Sequence, residues 1–449
     1  MPFTFAPDPM GGTEVYVRNL ALEQAAGLES LIAAPGEQDE EYRVDGLPVF
    51  RFATSKRPGL RALYGEGDPA AAASFSQLLD RLSPDLVHLH AFTPAVSVAM
   101  EASKRRRLPV VVTYHTPTVT CMRGTLLEKG TSVCDGLMDE RRCGSCALEA
   151  RGVPGLVRAV AGALPAAAGK LAGRCGLDRG VWIGARMTEL TEVRLKNTRL
   201  FLERADAIVV PCRWSEQLLL RNGVPRERIV FSRQGLNARA PVRQRSAGTG
   251  PGTPLRIVFL GRLDVAKGLE TVLAALRELP GEAVALDIYA VHQGNRSGGN
   301  SYVAAIEKAI AEDARVRLLP PVPADVAAGL LADYDVLVAP SRLLETGPLV
   351  VLEAHAARVP VIGSNLGGIA ELVTHERDGL LVEPGNAKAW AAAIRRLMGE
   401  PGLYCRLAEG ISPPKGMSEV AREMNELYCG LAPAGMRAVS GRIVPVQHV

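Results

Sequence analysis

Long apolar runs are missing from this chain. No stretch reaches the 18 or more consecutive apolar residues that a membrane span needs, and the first residues carry no signal-peptide pattern. An excess of one charge is missing too. The 52 Lys and Arg residues meet 48 Asp and Glu, a formal net charge of +4, which is too even for a nucleic-acid binder. Neither half opens on a glycine fingerprint with an acidic residue about 20 positions on, which argues against a dehydrogenase. The expectation is a cytoplasmic protein that meets a membrane, if at all, peripherally at the inner face of the plasma membrane.

What is present is globular and large. With 449 residues, of which 47% are hydrophobic, the chain exceeds what one core organises, so two domains are expected. Apolar runs at 30–34, 49–52, 85–90, 110–114 and 207–211 alternate with helical patterns, and several lack polar interruption. That pattern signals parallel strands covered on both faces, an α/β architecture of tandem doubly wound sheets. A Gly, Pro and Arg-rich stretch at 238–254 reads as a linker, after which alternation restarts at 255–261 and runs to 379–382. The domains are expected at 1–240, with an insert at about 118–204, and at 254–415. A helix and tail at 416–449 are expected to cross back to the first domain. Ligands of such sheets collect at the carboxyl ends of the strands.

Within the insert, residues 151–204 show no clear strand. Arg151, Arg158, Lys170 and Arg174 stand among Leu, Val and Ala, and no acidic residue occurs between 151 and 177. Two readings stand side by side: a helical elaboration of the first domain, and a basic amphipathic surface for anionic lipid. Cys121, Cys134, Cys143 and Cys146 fall in the same insert. Their spacing allows structural zinc, disulfides or free thiols, and only the last pair has the short interval typical of zinc motifs.

Four signals carry chemistry. Gly11-Gly12-Thr13-Glu14 lies before a helical pattern, where small residues let backbone N–H groups approach a diphosphate. Arg262 and Lys267 follow an apolar strand and place two cations where they offset leaving-group charge without a metal. The run from Glu345 to Glu353 joins a loop to a helix. Gly347, Leu349 and Val350 offer N–H groups there, Pro348 suits the first helical turn, and Glu353 can accept two ribose hydroxyls. His115 ends a strand and can bond a sugar hydroxyl or the reacting centre; His88 and His90 end another and read as structural, His90 being the better placed of the two to reach a ligand. Asp333-Tyr334-Asp335 has the form of a metal-binding DxD, but it precedes a buried strand and reads as structural.

In this order the signals resemble the GT-B fold retaining glycosyltransferases of family 4, the group 1 glycosyl transferases. The resemblance runs from about residue 10 to 400. It is closest where Phe259-Leu260-Gly261-Arg262, Pro340-Ser341, Glu345 to Glu353, Pro360-Val361-Ile362-Gly363 and Gly367-Gly368-Ile369-Ala370-Glu371 follow one another. It implies two Rossmann-like domains around a central cleft, the second binding the nucleotide sugar. Gly11 and Gly12 would lie by the donor, and Arg262 and Lys267 would hold the diphosphate. Glu345 would contact the transferred sugar, Glu353 the ribose, and His115 the anomeric carbon. The implied reaction transfers a sugar from a UDP- or GDP-sugar, with retention and no catalytic cofactor, to a polysaccharide, oligosaccharide or lipid-linked acceptor. The alternatives are a GT-B sugar-nucleotide epimerase and a non-catalytic sugar-nucleotide-binding partner protein. Two departures matter. Thr346-Gly347-Pro348 stands where many relatives carry Gly-Phe-Gly, so one N–H is lost. Residues 2–6 leave only a short central strand before the glycine pair.

Overall fold

A computed structural model describes residues 1–128, 132–177, 180, 182–237, 254–291 and 299–432, so the expected linker, apart from Pro254, and the end of the tail lie outside the described residues. The chain divides into two compact units. Unit 1 takes Met1–Pro211, Ser215–Ser232 and the segment from Met417; unit 2 takes Cys212–Trp214 and Arg233–Gly416.

Unit 1 begins α1 (Gly12–Gln24), β1 (Ile32–Gly36), β2 (Glu40–Val44), β3 (Leu47–Ala53), α2 (Pro69–Leu82), β4 (Val87–Leu89), α3 (Pro94–Arg105) and β5 (Val110–Thr113). The insert then forms β6 (Leu127–Glu128), β7 (Ser132–Val133), α4 (Glu140–Glu149), α5 (Gly155–Ala163), α6 (Ala166–Arg174) and α7 (Trp182–Arg204). β8 (Ala207–Val210), α8 (Arg213–Arg221) and β9 (Ile229–Phe231) follow. Helix starts carry their chemical reasons. Asp68 accepts the N–H groups of Ala70 and Ala71 ahead of Pro69, and Thr93 accepts that of Val96 ahead of Pro94. β5 and β8 are buried at every position, as strands between two helical layers must be.

Residues 2–6 form no strand, which corrects the expectation of a short central one. Pro2 removes an N–H donor from this segment, and Pro7 and Pro9 remove two more just after it. Buried Arg51 holds it instead, donating to the carbonyl oxygens of Phe5 and Pro35. The described strands of unit 1 accordingly form two main sheets rather than one, ordered β1-β3-β2 and β4-β5-β8-β9, beside the small β6-β7 hairpin. One core still serves both main sheets, drawing in Phe5, Leu20, Val49, Val111 and Val209. Met417 and Met424 of the C-terminal helix Met417–Leu431 belong to that same core.

Unit 2 runs β10 (Leu255–Arg262), α9 (Leu269–Arg277), β11 (Val284–Val291), α10 (Gly299–Ala311), β12 (Val316–Leu319), α11 (Ala324–Leu331), β13 (Val336–Ala339) and α12 (Leu349–Ala356). It continues with β14 (Val361–Ser364), α13 (Gly367–Leu372), β15 (Gly379–Val382), α14 (Ala387–Gly399) and α15 (Leu403–Gly410). Its six strands are all parallel and ordered β12-β11-β10-β13-β14-β15. In strand sequence that order is 3-2-1-4-5-6, the doubly wound arrangement, and it reverses between β10 and β13. Asp335 marks the bottom of this junction: its carboxylate accepts the N–H of Arg256 at 2.8 Å. The DxD-like triplet therefore pins two strands together.

Candidate active site

Ligands of doubly wound sheets bind where the strand order reverses, beyond the carboxyl ends of the two strands. In unit 2 those ends are the loops after β10 and β13. Arg262 closes β10 and Lys267 lies in the first loop; the second carries Ser341 and Glu345. The Lys267 ammonium donates to Glu345 Oε1 at 2.5 Å, and the Ser341 hydroxyl donates to the same oxygen at 2.7 Å. Burial pushes the Glu345 carboxyl up. The charge and hydrogen bond of Lys267, the bond from Ser341 and the charge of Arg262 outweigh it, and Glu345 is held below its ordinary range. Glu345 is therefore a carboxylate in this site.

Backbone geometry fixes the pair. Asp264 accepts the N–H of Ala266 at 2.8 Å, opening the short turn that ends in Lys267. Gly268 has φ +70°, and a Cβ there would stand 2.1 Å from the carbonyl oxygen of Pro340. Only glycine lets the Lys267 turn close against the strand end that bears Ser341. From the other side, Gly367 and Gly368 underlie the Glu345 loop. The N–H of Gly368 donates to the Glu345 carbonyl oxygen at 2.7 Å, and a Cβ at 368 would meet that oxygen at 2.5 Å.

Pro348 is the capping residue ahead of α12 rather than its first helical residue, because its ψ of 124° is still extended. The helix opens at Leu349. Leu349 and Val350 are its first two positions, whose N–H groups lack intrahelical acceptors. Gly347, at φ +125°, has no heavy atom within 4 Å of where a Cβ would be, leaving open space beside the helix start. Glu353 lies farther along α12, and burial raises its pKa to about 7. Ser341 had only its place beside Pro340 to mark it in the sequence.

Unit 1 places its candidates differently. Gly11 caps α1, and its N–H donates to Glu14 Oε2 at 2.9 Å, one arm of a capping box. Gly11 and Gly12 are exposed. His115 is buried just beyond β5, 2.9 Å by its Nε2 from Nδ1 of His90 and edge-on to the Tyr16 ring. Burial, with the nearby terminal ammonium, lowers its pKa to about 3, so it is neutral at physiological pH. His90 is lowered well below its ordinary value, first by burial and then by charge at His88, the N-terminus and His115. His88 instead ties Thr113 Oγ1, at 2.7 Å, to the Tyr428 hydroxyl, at 2.6 Å. It is a structural link to the C-terminal helix.

The four clustered cysteines are partly buried and free of disulfides. Gly136 donates its N–H to Cys134 Sγ at 3.4 Å, and Cys143 and Cys146 ride on α4. Burial raises the Cys143 thiol to about 11. Among the described residues, no group of three or more His, Cys, Asp or Glu side chains is drawn up for a metal ion.

Residues 254–400 match the family described as glycosyl transferases group 1, and residues 11–235 match the glycosyl transferase 4-like domain. Among curated relatives, the D-inositol 3-phosphate glycosyltransferase of Pseudarthrobacter chlorophenolicus is 34% identical over 161 residues, 35% of this chain and 37% of that protein. The first relatives are thus matched over less than half of their length. The enzyme of the same name from Paenarthrobacter aurescens is 27% identical across 97% of this chain and 95% of its own. Among solved structures, sucrose-phosphate synthase from Thermosynechococcus elongatus superposes with a TM-score of 0.65 at 22% identity, covering 96% of both chains. Anabaena HepE in complex with UDP-glucose gives 0.62 at 17%, covering 96% of this chain and 100% of its own. These structural likenesses show the GT-B fold.

Proposed function

The chain belongs to the group 1 glycosyl transferases, and from that premise we propose that it transfers a sugar from a nucleotide-sugar donor with retention of anomeric configuration. The observation that carries this reading is the Lys267–Glu345 pair at the reversal of the unit 2 sheet. Lys267 and Arg262 would meet the diphosphate and stabilise the charge that builds on it as the sugar departs. Leu349 and Val350 would add N–H groups at the start of α12. Glu345 would accept from hydroxyls of the transferred sugar, and Glu353 from the ribose. His115, neutral and braced by His90, would serve the reacting sugar as a hydrogen-bond partner rather than a cation. The leaving phosphate would then take the acceptor proton, a front-face course that asks for no enzyme nucleophile and no catalytic metal.

The acceptor is proposed to be a glycan, in free or lipid-linked form. A second reading comes from the relatives, whose names make D-inositol 3-phosphate their acceptor. The four cysteines that follow His115 are not drawn together here, and they are proposed to gather round a structural zinc that pins their loop. Less than about a tenth of an equivalent of zinc in anaerobically purified protein would overturn that.

The test is a thermal-shift screen of UDP- and GDP-sugars, since a ligand bound by the native state alone raises apparent stability. NMR of the product made from the donor that binds follows. Slow donor hydrolysis or transfer with retained configuration is expected. Isomerised donor with no transfer would assign the chain as an epimerase, and binding without any turnover as a non-catalytic partner.

A further inference from the structure

Helices normally bury their large apolar side chains and turn small or polar ones outward. In α5 and α6 of the unit 1 insert the order is reversed. α5 is held by Ala161, which is buried and lies 4.0 Å from where a Cβ on Gly184 of α7 would stand. α6 lies against α7 through Gly169 and Gly173. A Cβ at these positions would come within 2.8 Å of the Glu189 side chain and 2.6 Å of the Arg186 guanidinium. Small residues do the packing, and the large ones face away. Leu156 is 82% exposed, Val157 55%, Val160 62%, Leu171 63% and Trp182 47%. Leu156, Val157 and Val160 fall at i, i+1 and i+4, within about 100° of one helix face.

Charge accompanies this surface. Arg151, Lys170 and Arg174 are exposed in the same stretch, which carries no acidic residue from 151 to 177. Lys170 also reaches Glu192 at 3.2 Å, and Arg158 reaches Glu149 at 3.0 Å, so part of the basic charge is met from α7 and α4. Among the described residues, no helix is long and apolar enough to cross a membrane.

We propose that α5, α6 and the first turn of α7 are a docking surface for an anionic lipid bilayer. The exposed Leu and Val side chains enter the headgroup boundary, Trp182 sits at its edge, and the basic residues meet lipid phosphates. The geometry stands whatever the donor; the purpose, delivery of the chain to a lipid-linked acceptor, rests on the acceptor reading above.

The experiment uses the full chain and sedimentation with vesicles of phosphatidylcholine alone or mixed with phosphatidylglycerol. Binding to the mixed vesicles is expected, weaker by about tenfold or more on phosphatidylcholine alone and reduced by added salt. The double variant Leu156→Glu/Val160→Glu should lose about tenfold or more in binding while its thermal shift with the donor is unchanged, which shows that it folds. Brominated lipid should quench tryptophan fluorescence in the wild type and far less in Trp182→Phe. Equal binding to both vesicle types, unchanged binding of the double variant, or quenching indifferent to Trp182 would each overturn the proposal. So would self-association through this face with no vesicle binding. Transfer to a soluble glycan needs no vesicle, so failure to dock leaves the donor reading standing, and docking without turnover fails that reading alone.

Discussion

The carboxyl end of the unit 2 sheet and the His115 pocket of unit 1 handle charge in opposite ways. In unit 2, the Glu345 carboxylate is held by bonds from Lys267 and Ser341, with the charge of Arg262 near. In unit 1, His90 and His115 are buried, His88 lies half-buried beside His90, and desolvation holds all three neutral. One region keeps charge ready against a polyanion, and the other excludes it.

The sharpest way to break this contrast is Lys267→Ala. Turnover should fall by about two powers of ten or more, as when one preorganised stabiliser of developing charge is removed. Steady-state rates with the donor identified by thermal shift decide it, and an unchanged kcat would remove Lys267 from the chemistry. Gly268→Ala comes next, because it attacks the scaffold of the pair rather than its charge. A Cβ 2.1 Å from the Pro340 carbonyl oxygen, at φ +70°, should cost about 1–3 kcal/mol in a denaturant titration. A shift of less than about 0.5 kcal/mol, within the usual scatter of surface substitutions, would mean the turn is not held as described.

Acidity sharpens the contrast from the other end. The folded-state pKa of Glu353 is raised to about 7, so the carboxylate that would accept ribose hydroxyls is present above pH 7 and lost as pH falls through it. Donor Kd should weaken about tenfold between pH 8 and pH 6, following the ionised fraction. Calorimetric titration of Glu353→Gln should show a flat profile across that range, and a profile as steep as the wild type's would assign the pH dependence elsewhere. The His115 pocket should contribute nothing over the same range, since its pKa of about 3 lies well below it. The smallest effect belongs to Tyr428→Phe, which removes the hydroxyl bonded to His88. It should cost about 0.5–1.5 kcal/mol of stability and leave the kcat of donor turnover unchanged.

The two regions also differ in how far the sequence alone describes them. In unit 2, the expected strand limits at 379–382 agree with the structure to the residue, and the strand end at Arg262 and the loops bearing Lys267 and Glu345 lie where the alternation of strands and helices places them. These are local facts, set by a strand, its turn and the following helix. Ser341 is marked only through the Pro340-Ser341 resemblance and given no role there, because a serine has no chemical signature until a carboxylate is found beside it. The role of Gly268 depends on Pro340, 72 positions away, which no local pattern encodes. Unit 1 resists for the same reason on a larger scale. Its opening segment is held by Arg51 rather than by a ladder, and α5 and α6 bury alanine and glycine, so their apolar periodicity marks the outer face instead of the inner one.

The helix Met417–Leu431 places Met417, Val420 and Met424 in the unit 1 core, more than 180 residues after Ser232 ends the preceding part of that unit. On the ribosome, unit 1 is therefore started first and finished last. Until the final helix emerges, Tyr16, Leu20 and Val209 wait with part of their covering absent, while unit 2 can fold as soon as its own strands are made. A deletion of Met417–Leu431, which carries none of the proposed donor-site residues, should act as a defect in biogenesis, seen as chaperone retention and low soluble yield.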